Sequence, residues 1–203
     1  MPRIALVARY LVVLALGIAA GARADEIEVR GAQLSSAEDG LVLDAEFAFD
    51  FNPRLGEAIA NGVPLYFAVE FELMRPRWWW FDQKTAAKRM QIRLSYHALS
   101  RQYRLSTGLL QQSFGTLEEA LHVLRRVRNW LVVDRSVALG DASYEAALRM
   151  RLDISQLPKP FQVSALTSTE WHLESPWTRF GFRPSPPSPA PAEGREPKDG
   201  ENK

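Results

Sequence analysis

Cysteine is missing from this chain of 203 residues, and neither sign of charge predominates. Without cysteine the protein has no disulfides, no thiol nucleophile and no thiolate ligands for zinc or iron–sulfur clusters. The 25 basic and 24 acidic side chains leave a formal net charge of +1, which excludes a broadly basic nucleic-acid-binding protein. Hydrophobic residues still supply 46% of the chain, which is enough to build a folded core.

The common sequence signatures of catalysis are also missing. No G-x-S-x-G elbow indicates a serine hydrolase, and no glycine-rich phosphate loop follows a predicted strand. The three histidines, His97, His122 and His172, are too far apart in sequence to form a zinc-binding motif. We therefore predict that the protein is not an enzyme and that it uses no metal and no cofactor.

The first 24 residues have the composition of a secretory signal peptide. Arg3 and Arg9 make the N-terminal region positively charged, and Tyr10–Ala20 is an almost uninterrupted apolar run. The small residues of Ala22-Arg23-Ala24 match the cleavage pattern, which predicts a mature chain that starts at Asp25. This segment predicts export to the periplasm.

The other interpretation of this segment is an uncleaved anchor that holds the protein at the inner membrane. Against it, the apolar stretch from Ile4 to Ala20 is interrupted by Arg9 and is shorter than the roughly 20 clean apolar residues of a spanning helix. Cleavage would remove three arginines and no acid, so the mature chain would have 22 basic and 24 acidic side chains and a net charge of −2.

The other end of the chain has a different composition again. Residues 183–203 contain six of the 13 prolines and no large apolar side chain. Such a segment cannot bury enough surface to offset the entropy of ordering it, so we predict a flexible, proline-rich tail. The folded domain is then expected over residues 25–182.

Alternation of apolar and polar residues predicts that this domain is mainly β. Ile27–Leu34 and Leu41–Phe51 flank a turn at residues 37–40 and predict a hairpin. Each strand has one apolar and one polar face, which is typical of an antiparallel sheet with one buried side. Further strands are predicted at Leu65–Met74, Lys88–Ala98, Gln102–Thr107, Trp130–Val133 and Tyr144–Ile154.

Two helices are expected among these strands. Asn52-Pro53 predicts the start of a short helix over Arg54–Ala60. Thr116 and Glu119 form a capping box that begins an amphipathic helix. We expect its apolar stripe to run through Leu117, Ala120, Leu121, Leu124 and Val127, and its basic last turns to contain Arg125, Arg126 and Arg128.

A later segment, Leu157–Phe161, contains two prolines and is predicted to be extended, with Phe161, Val163 and Leu166 buried. The fold class that follows is an antiparallel β-sandwich, immunoglobulin-like or similar. It should contain about seven or eight strands, one amphipathic helix and one short helix.

Glu70 and Glu72 are the most enzyme-like pair of side chains. Two residues apart on a strand they share a face, with their Cβ atoms about 6.5–7 Å apart. This separation is compatible with paired-carboxylate glycoside hydrolysis. Asp44 and Glu46 repeat the pattern, however, and the alternative interpretation is the solvated face of a sheet.

The segment that follows is rich in tryptophan and arginine. Arg75 and Arg77 precede Trp78 and Trp80, and exposed indoles of this kind stack on sugar rings or lie at membrane interfaces. Neighbouring strand residues point to opposite faces, so at least one tryptophan of the run is expected to pack inside. The candidate binding surface consists of Glu70, Glu72, Arg75, Arg77, Trp78 and Trp80.

Eight short segments of the chain are informative together. They are Asn52-Pro53-Arg54-Leu55, Gly62–Phe67, Glu70–Leu73, Arg75–Trp78, Leu94-Ser95-Tyr96, Arg101–Arg104, Leu157–Val163 and Trp171. In combination they resemble a family of exported, proline-rich proteobacterial proteins described only as domain of unknown function 4390. The resemblance covers residues 27–182 and implies a periplasmic location. It also implies a gene encoded beside a membrane sensor kinase of the nitrogen-regulation type, which makes such a kinase a candidate partner.

These observations predict a periplasmic, non-catalytic binding module whose partner is an envelope protein such as the sensor kinase. The alternative is a protein that binds envelope glycans through the tryptophans or cleaves them with Glu70 and Glu72. A third interpretation is a structural envelope protein that the tail tethers or spaces. No nucleic-acid partner is expected, and contact with the membrane is expected only through an uncleaved N-terminal segment.

Overall fold

The computed structural model describes residues 26–76 and 83–184. The predicted signal peptide, the tail beyond Pro184 and the site residues Arg77, Trp78 and Trp80 lie outside the described residues. Within them the strands are β1 (Glu28–Ala37), β2 (Gly40–Ala48), β3 (Leu65–Arg75), β4 (Gln83–His97), β5 (Gln102–Thr107), β6 (Leu110–Phe114), β7 (Arg126–Asp134), β8 (Tyr144–Leu152) and β9 (Thr178–Phe182).

Three α-helices and two single turns of 3-10 helix join the described strands. They are α1 (Pro53–Ala60), α2 (Leu117–Leu124), α3 (Lys159–Ala165) and the turns Ile154–Gln156 and Thr169–Trp171. None of the helices in the described ranges is long and apolar enough to cross a bilayer.

The strands form two antiparallel sheets, which confirms the predicted mainly-β fold. One sheet has the strand order β1-β2-β7 and the other β6-β5-β4-β3-β8-β9. Both contribute side chains to a single hydrophobic core. The connectivity is not that of an immunoglobulin domain, where the two sheets hold four and three strands in a different order.

The core follows from the period-two pattern of the central strands. Leu65, Phe67 and Leu73 of β3 are fully buried, and so are Leu43 and Phe47 of β2. Beyond β2, the rings of Phe49 and Phe51 stack on Phe67, with centroids 5.8 and 6.0 Å from it. These aromatic contacts join the two sheets at the start of α1.

The two predicted helices are present, but the second is shorter than its apolar stripe suggested. α1 begins as expected, with the Asn52 side chain accepting a hydrogen bond from the Leu55 N–H. The Thr116–Glu119 capping box also forms. α2 ends at Leu124, however, and Val127 lies on β7. The predicted basic last turns are therefore wrong: Arg125 caps the helix, and Arg126 and Arg128 are strand residues.

The segment around Pro158 and Pro160 was predicted to be extended, and the structure corrects this. Pro160 lies in the first turn of α3, where the missing proline N–H costs no helical hydrogen bond. Phe161 packs edge-on against Trp171, with ring centroids 5.5 Å apart. Val163 and Leu166, expected to be buried, are 67% and 80% exposed.

Candidate functional site

The outer surface of the six-stranded sheet carries most of the charged side chains near the predicted site. We call this surface the basic face, because it has seven cations against four carboxylates. The pairing of β4 with β3 and of β3 with β8 sets which side chains point outward. The charged members are Lys84, Arg89, Arg93, Arg104, Arg149, Arg151, Arg179, Glu70, Glu72, Glu145 and Asp153.

Glu70 is at the centre of the basic face, with an arginine beside it on each neighbouring strand. The register places Arg89 of β4 and Arg149 of β8 directly opposite Glu70. The Glu70 carboxylate accepts hydrogen bonds from Arg149 Nε at 2.6 Å and from Arg151 at 3.2 Å, and Arg89 lies 3.7 Å away. One carboxylate thus holds three strands together.

Burial alone would raise the pKa of Glu70, since its side chain is only 15% exposed. The hydrogen bonds and charges of Arg149 and Arg151 outweigh burial, and the pKa lies below the ordinary value. A glycosidase acid needs the opposite shift, because it must hold a proton near neutral pH. The arrangement around Glu70 is suited to ion pairing.

Asp153 extends the same network at the end of β8. Its side chain is 4% exposed and accepts hydrogen bonds from Arg89 and from the Ser155 hydroxyl at 2.6 Å. Burial would raise the pKa of Asp153, but the Ser155 hydrogen bond and the charges of Arg89 and Arg151 lower it overall. Arg89 therefore bridges the carboxylate of Glu70 on β3 and that of Asp153, the residue that follows β8.

The predicted site residues have separate surroundings. Glu70 and Glu72 share a face as expected, but Glu72 binds Lys84 at 2.6 Å and forms no ion pair with an arginine among the described residues. Arg75 is exposed at the end of β3. Sequence reasoning missed Arg89, Arg149, Arg151 and Asp153, although the alternation of β8 already placed Arg149 and Arg151 on one face.

Arg93 and Arg104 form a second part of the basic face, on β4 and β5. Neither arginine has a carboxylate within ion-pair distance in the described part of the chain. Arg93 lies over the Tyr66 ring, 5.9 Å from its centroid. The Arg104 Nε is buried without a hydrogen-bond partner among the described residues. The register places Ser95 and Ser106 beside this pair.

Aromatic side chains also lie on the basic face. Trp177 stacks on the Arg149 guanidinium, 4.6 Å from the ring centroid, and is half-buried. It lines a shallow cavity of about 330 Å³ with Glu70, Glu72 and Arg89. The sequence analysis selected the run that contains Trp78 and Trp80. Trp177 is identified as a candidate only by its position next to β9 in the structure.

A larger cavity lies elsewhere, where β1, the connection to α1 and the segment before β9 meet. It has a volume of about 730 Å³ and is lined by Phe49, Phe51 and Pro176 among others. Two of its three acidic groups have cationic partners: Asp50 binds Arg125 at 2.8 Å, and Glu28 lies 3.9 Å from Arg30. Glu26 is its remaining carboxylate.

No group of three metal-binding side chains is found among residues 26–76 and 83–184. His97 hydrogen-bonds to Ser100, with 3.0 Å between the ring nitrogen and the hydroxyl. His122 and His172 lie on α2 and after the last 3-10 turn.

The arginine network predicts how the free energy of unfolding depends on pH. Both carboxylates have a folded pKa below their ordinary values of 4.5 for Glu70 and 3.8 for Asp153. Their contribution is therefore complete above about pH 5 and is lost as the pH falls through the folded pKa values. We expect Glu70→Gln to lower the free energy of unfolding by about 2 kcal/mol at pH 7, measured by urea denaturation.

The difference between Glu70→Gln and the unsubstituted protein should shrink steadily as the pH falls below about 5 and through the lowered folded pKa of Glu70. Glu46→Gln is the matched control. Its carboxylate is 46% exposed and pairs with Arg126 at 3.4 Å, so its effect should stay within about 0.5 kcal/mol. An undiminished difference at low pH would show that Glu70 stabilises the sheet by some means other than its charge.

Comparison with known proteins gives one match. A family model described as Domain of unknown function (DUF4390) matches residues 24–181. No curated protein and no solved structure matches the chain. The match confirms the family that the sequence segments resembled, while export and the kinase partner stay predictions.

Proposed function

This chain belongs to the DUF4390 family, whose description assigns no function, and from that premise we propose that it is a non-catalytic binding module of the cell envelope. In this proposal the basic face recognises an acidic surface on an envelope protein. The observation that carries the proposal is the excess of cations on this one sheet surface, in a chain whose formal net charge is only +1.

The internal pairing of charges supports a binding role for the remaining cations. Glu70 and Asp153 hold Arg89, Arg149 and Arg151 in fixed positions. A rigid sheet with oriented guanidinium groups loses little entropy on binding. Arg93 and Arg104, which lack carboxylate partners among the described residues, are then the side chains that meet an incoming anion.

Complementary charge also defines the kind of partner. Arginine presents several N–H donors in one plane and binds carboxylates in pairs of hydrogen bonds. Tyr66 and Trp177 add aromatic surface of the kind enriched at protein interfaces. The sensory part of a membrane sensor kinase, if acidic at its surface, fits this description and the predicted periplasmic location.

Crosslinking in living cells tests the proposal. A photoreactive residue at Gln91, exposed on the basic face of β4, should form an adduct with an envelope protein. The same residue at Gln33, exposed on the outer side of β1, should not. We expect the double substitution Arg93→Glu and Arg104→Glu to reduce the Gln91 adduct about tenfold, because like charges then face the partner.

Arg30→Glu is the charge-matched control, since Arg30 is exposed on β1 and its ion pair among the described residues is with Glu28. It should leave the adduct unchanged. Thermal melting of each variant shows whether the fold is retained. Equal adducts from Gln91 and Gln33 would rule out recognition through the basic face. An adduct at Gln91 that persists in the Arg93→Glu, Arg104→Glu double variant would do so as well.

A further inference from the structure

We propose that two copies of this protein associate through β6, so that their six-stranded sheets join into one sheet of twelve strands. The inference goes beyond the proposed function and does not depend on it, because it concerns the edge of the sheet and a second copy of the chain. Three features of the described residues support it: an open and uncharged strand edge, apolar side chains beside that edge, and a residue order that is complementary to itself.

The first feature is that β6 ends its sheet without the usual obstacles to further pairing. It pairs with β5 on one side over Leu110–Phe114, and the register of this pair is unbroken. No backbone hydrogen bond joins β6 to a segment other than β5 within the described ranges. Its five residues include no proline and no charged side chain. Natural sheets protect exposed edges with charges, prolines and bulges, so this edge is open to a further strand.

The other edge strands of the two sheets are protected by charge. β1 contains Glu28 and Arg30 and has a register shift after Val29. β7 carries two arginines and an aspartate, and β9 contains Arg179. Among the four edge strands of the described sheets, β6 alone is uncharged. A two-fold axis brings an edge against the same edge of the second copy, so an uncharged edge avoids the repulsion between like charges.

The direction of the backbone groups on β6 follows from the turn that precedes it. Gly108 is the first of the two residues in this turn, and its φ of +58° is typical of that position in a hairpin. The residue after such a turn donates its N–H to the carbonyl of the residue before it, here Leu110 to Thr107. Because bonding alternates along a strand, the residues that direct their N–H and C=O groups to the open side are Gln111 and Ser113.

The second feature is apolar surface beside the open edge. The even-numbered side chains of β6 point to the core side of the sheet, because Gln112 lies opposite the buried Leu105. On that side Leu110 is 76% exposed, and it lines a groove of about 230 Å³ with Val123 of α2. Phe114 and Val123 line a second cavity, of about 580 Å³. Apolar side chains are therefore partly uncovered along the inner side of β6.

The charged groups around this apolar surface are engaged within the protein. Arg126 pairs with Glu46 at 3.4 Å, and Arg128 donates a hydrogen bond to a backbone carbonyl of β2 at 3.2 Å. The two glutamates that begin α2 take part in an ion pair and in the capping box. The surface beside β6 thus favours an uncharged and partly apolar occupant, which a second β6 provides.

The third feature is the order of residues in β6. A two-fold axis perpendicular to the sheet at Gln112 sets Leu110 of each copy opposite Phe114 of the other. Leucine opposite an aromatic ring is a favourable cross-strand pair. In the same register Gln111 of one copy lies opposite Ser113 of the other, and these residues form four backbone hydrogen bonds. Every backbone group that β6 directs to the open side is then paired.

Analytical ultracentrifugation of the protein expressed from its full sequence tests this inference. We expect a monomer–dimer equilibrium between about 1 and 200 μM. Gln112→Lys places two lysines directly opposite each other and should weaken dimerisation about fivefold, and Gln112→Glu should do the same. A mixture of the two variants should associate again, because lysine then faces glutamate. Gln33→Lys, exposed on the β1 edge, is the matched control and should leave the equilibrium unchanged.

A single introduced cysteine reports the register, because the chain has no cysteine of its own. The axis makes the two copies of residue 112 a non-hydrogen-bonded pair with Cα atoms about 4.5 Å apart, which is within the range of a disulfide. Gln112→Cys should therefore form a linked dimer under mild oxidation. Ser113→Cys, which lies opposite residue 111, should form it at least about tenfold more slowly. Gln33→Cys on β1 should be equally slow.

Substitution at Ser113 tests the backbone hydrogen bonds of the interface. Ser113→Pro removes an N–H that points to the open side and leaves the bonds to β5 in place. It should weaken the dimer more than about tenfold, because two of the four hydrogen bonds are lost. Ser113→Ala keeps the N–H and should associate normally. If the proline variant does not fold, the mixture of Gln112→Lys with Gln112→Glu decides the question by itself.

Three results would overturn dimerisation through β6. One is a protein that stays monomeric over the whole concentration range, and another is a dimer that Gln112→Lys does not weaken. The third is protection of the Gln111 and Ser113 amides from hydrogen exchange in the monomer, because another segment of the chain would then cover the edge. In each case the Gln91 crosslink tests the basic face independently.

Discussion

Phe67→Ala is expected to lower the free energy of unfolding by about 3–5 kcal/mol, the usual cost of emptying a buried aromatic site. Phe67 is fully buried on β3, the strand that also carries Glu70. Its ring stacks on Phe49 and Phe51, which follow β2 of the other sheet. The substitution therefore removes the contact that joins the two sheets at this point. Urea denaturation at pH 7 measures the loss.

Phe67→Leu is the matched control, because leucine keeps most of the buried apolar volume. We expect it to cost about 1–2 kcal/mol, since the loss of ring stacking remains. If Phe67→Ala cost no more than the leucine variant, the aromatic cluster would not be what holds the sheets together. The cost should also be independent of pH between 5 and 3, unlike that of Glu70→Gln.

Gly40→Ala is expected to cost about 3–4 kcal/mol, because both the backbone angle and the available space at this position require glycine. Gly40 starts β2 with φ of +143°, a region that other residues rarely adopt. A Cβ atom here would lie 2.0 Å from the Val133 carbonyl oxygen and 2.9 Å from the Arg135 nitrogen. These two backbone atoms lie at the end of β7 and just after it. Removing the steric clash therefore requires β2 and β7 to separate.

Gly31→Ala provides the comparison for Gly40→Ala. Gly31 is on β1, and a Cβ atom there meets nothing within 4 Å. The substitution should change the free energy of unfolding by less than about 1 kcal/mol in either direction. Equal costs at the two glycines, measured by chemical denaturation, would show that the turn into β2 can relax without disturbing β7.

Local patterns were sufficient for the parts of the fold in which neighbouring residues decide the conformation. The first hairpin, the strand β3 and the start of α1 were all predicted within a few residues of their observed bounds. In each case a short window of sequence contains the deciding pattern, which is either an alternation of apolar and polar residues or a helix-capping residue. The Glu70–Glu72 pair on one face followed from the same period.

The end of α2 shows where such patterns are ambiguous. Val127 continues the helical stripe three residues after Leu124, and it is equally suited to the buried face of a strand. Pairing with Ala45 of β2 decides in favour of the strand. The partner is 82 residues away in sequence, so no local window contains the information. Pro160 is ambiguous for another reason, because its fixed φ suits both an extended chain and the first turn of a helix.

By itself, the sequence determined the mainly-β antiparallel class, the family and the face on which Glu70 and Glu72 lie. Only the tertiary structure decided that three arginines surround Glu70 and that Asp153 shares Arg89 with it. The physical reason is that strand order and register determine which side chains meet. They arise from pairing between segments as distant as β3 and β8, whereas the alternation within each strand is a local property.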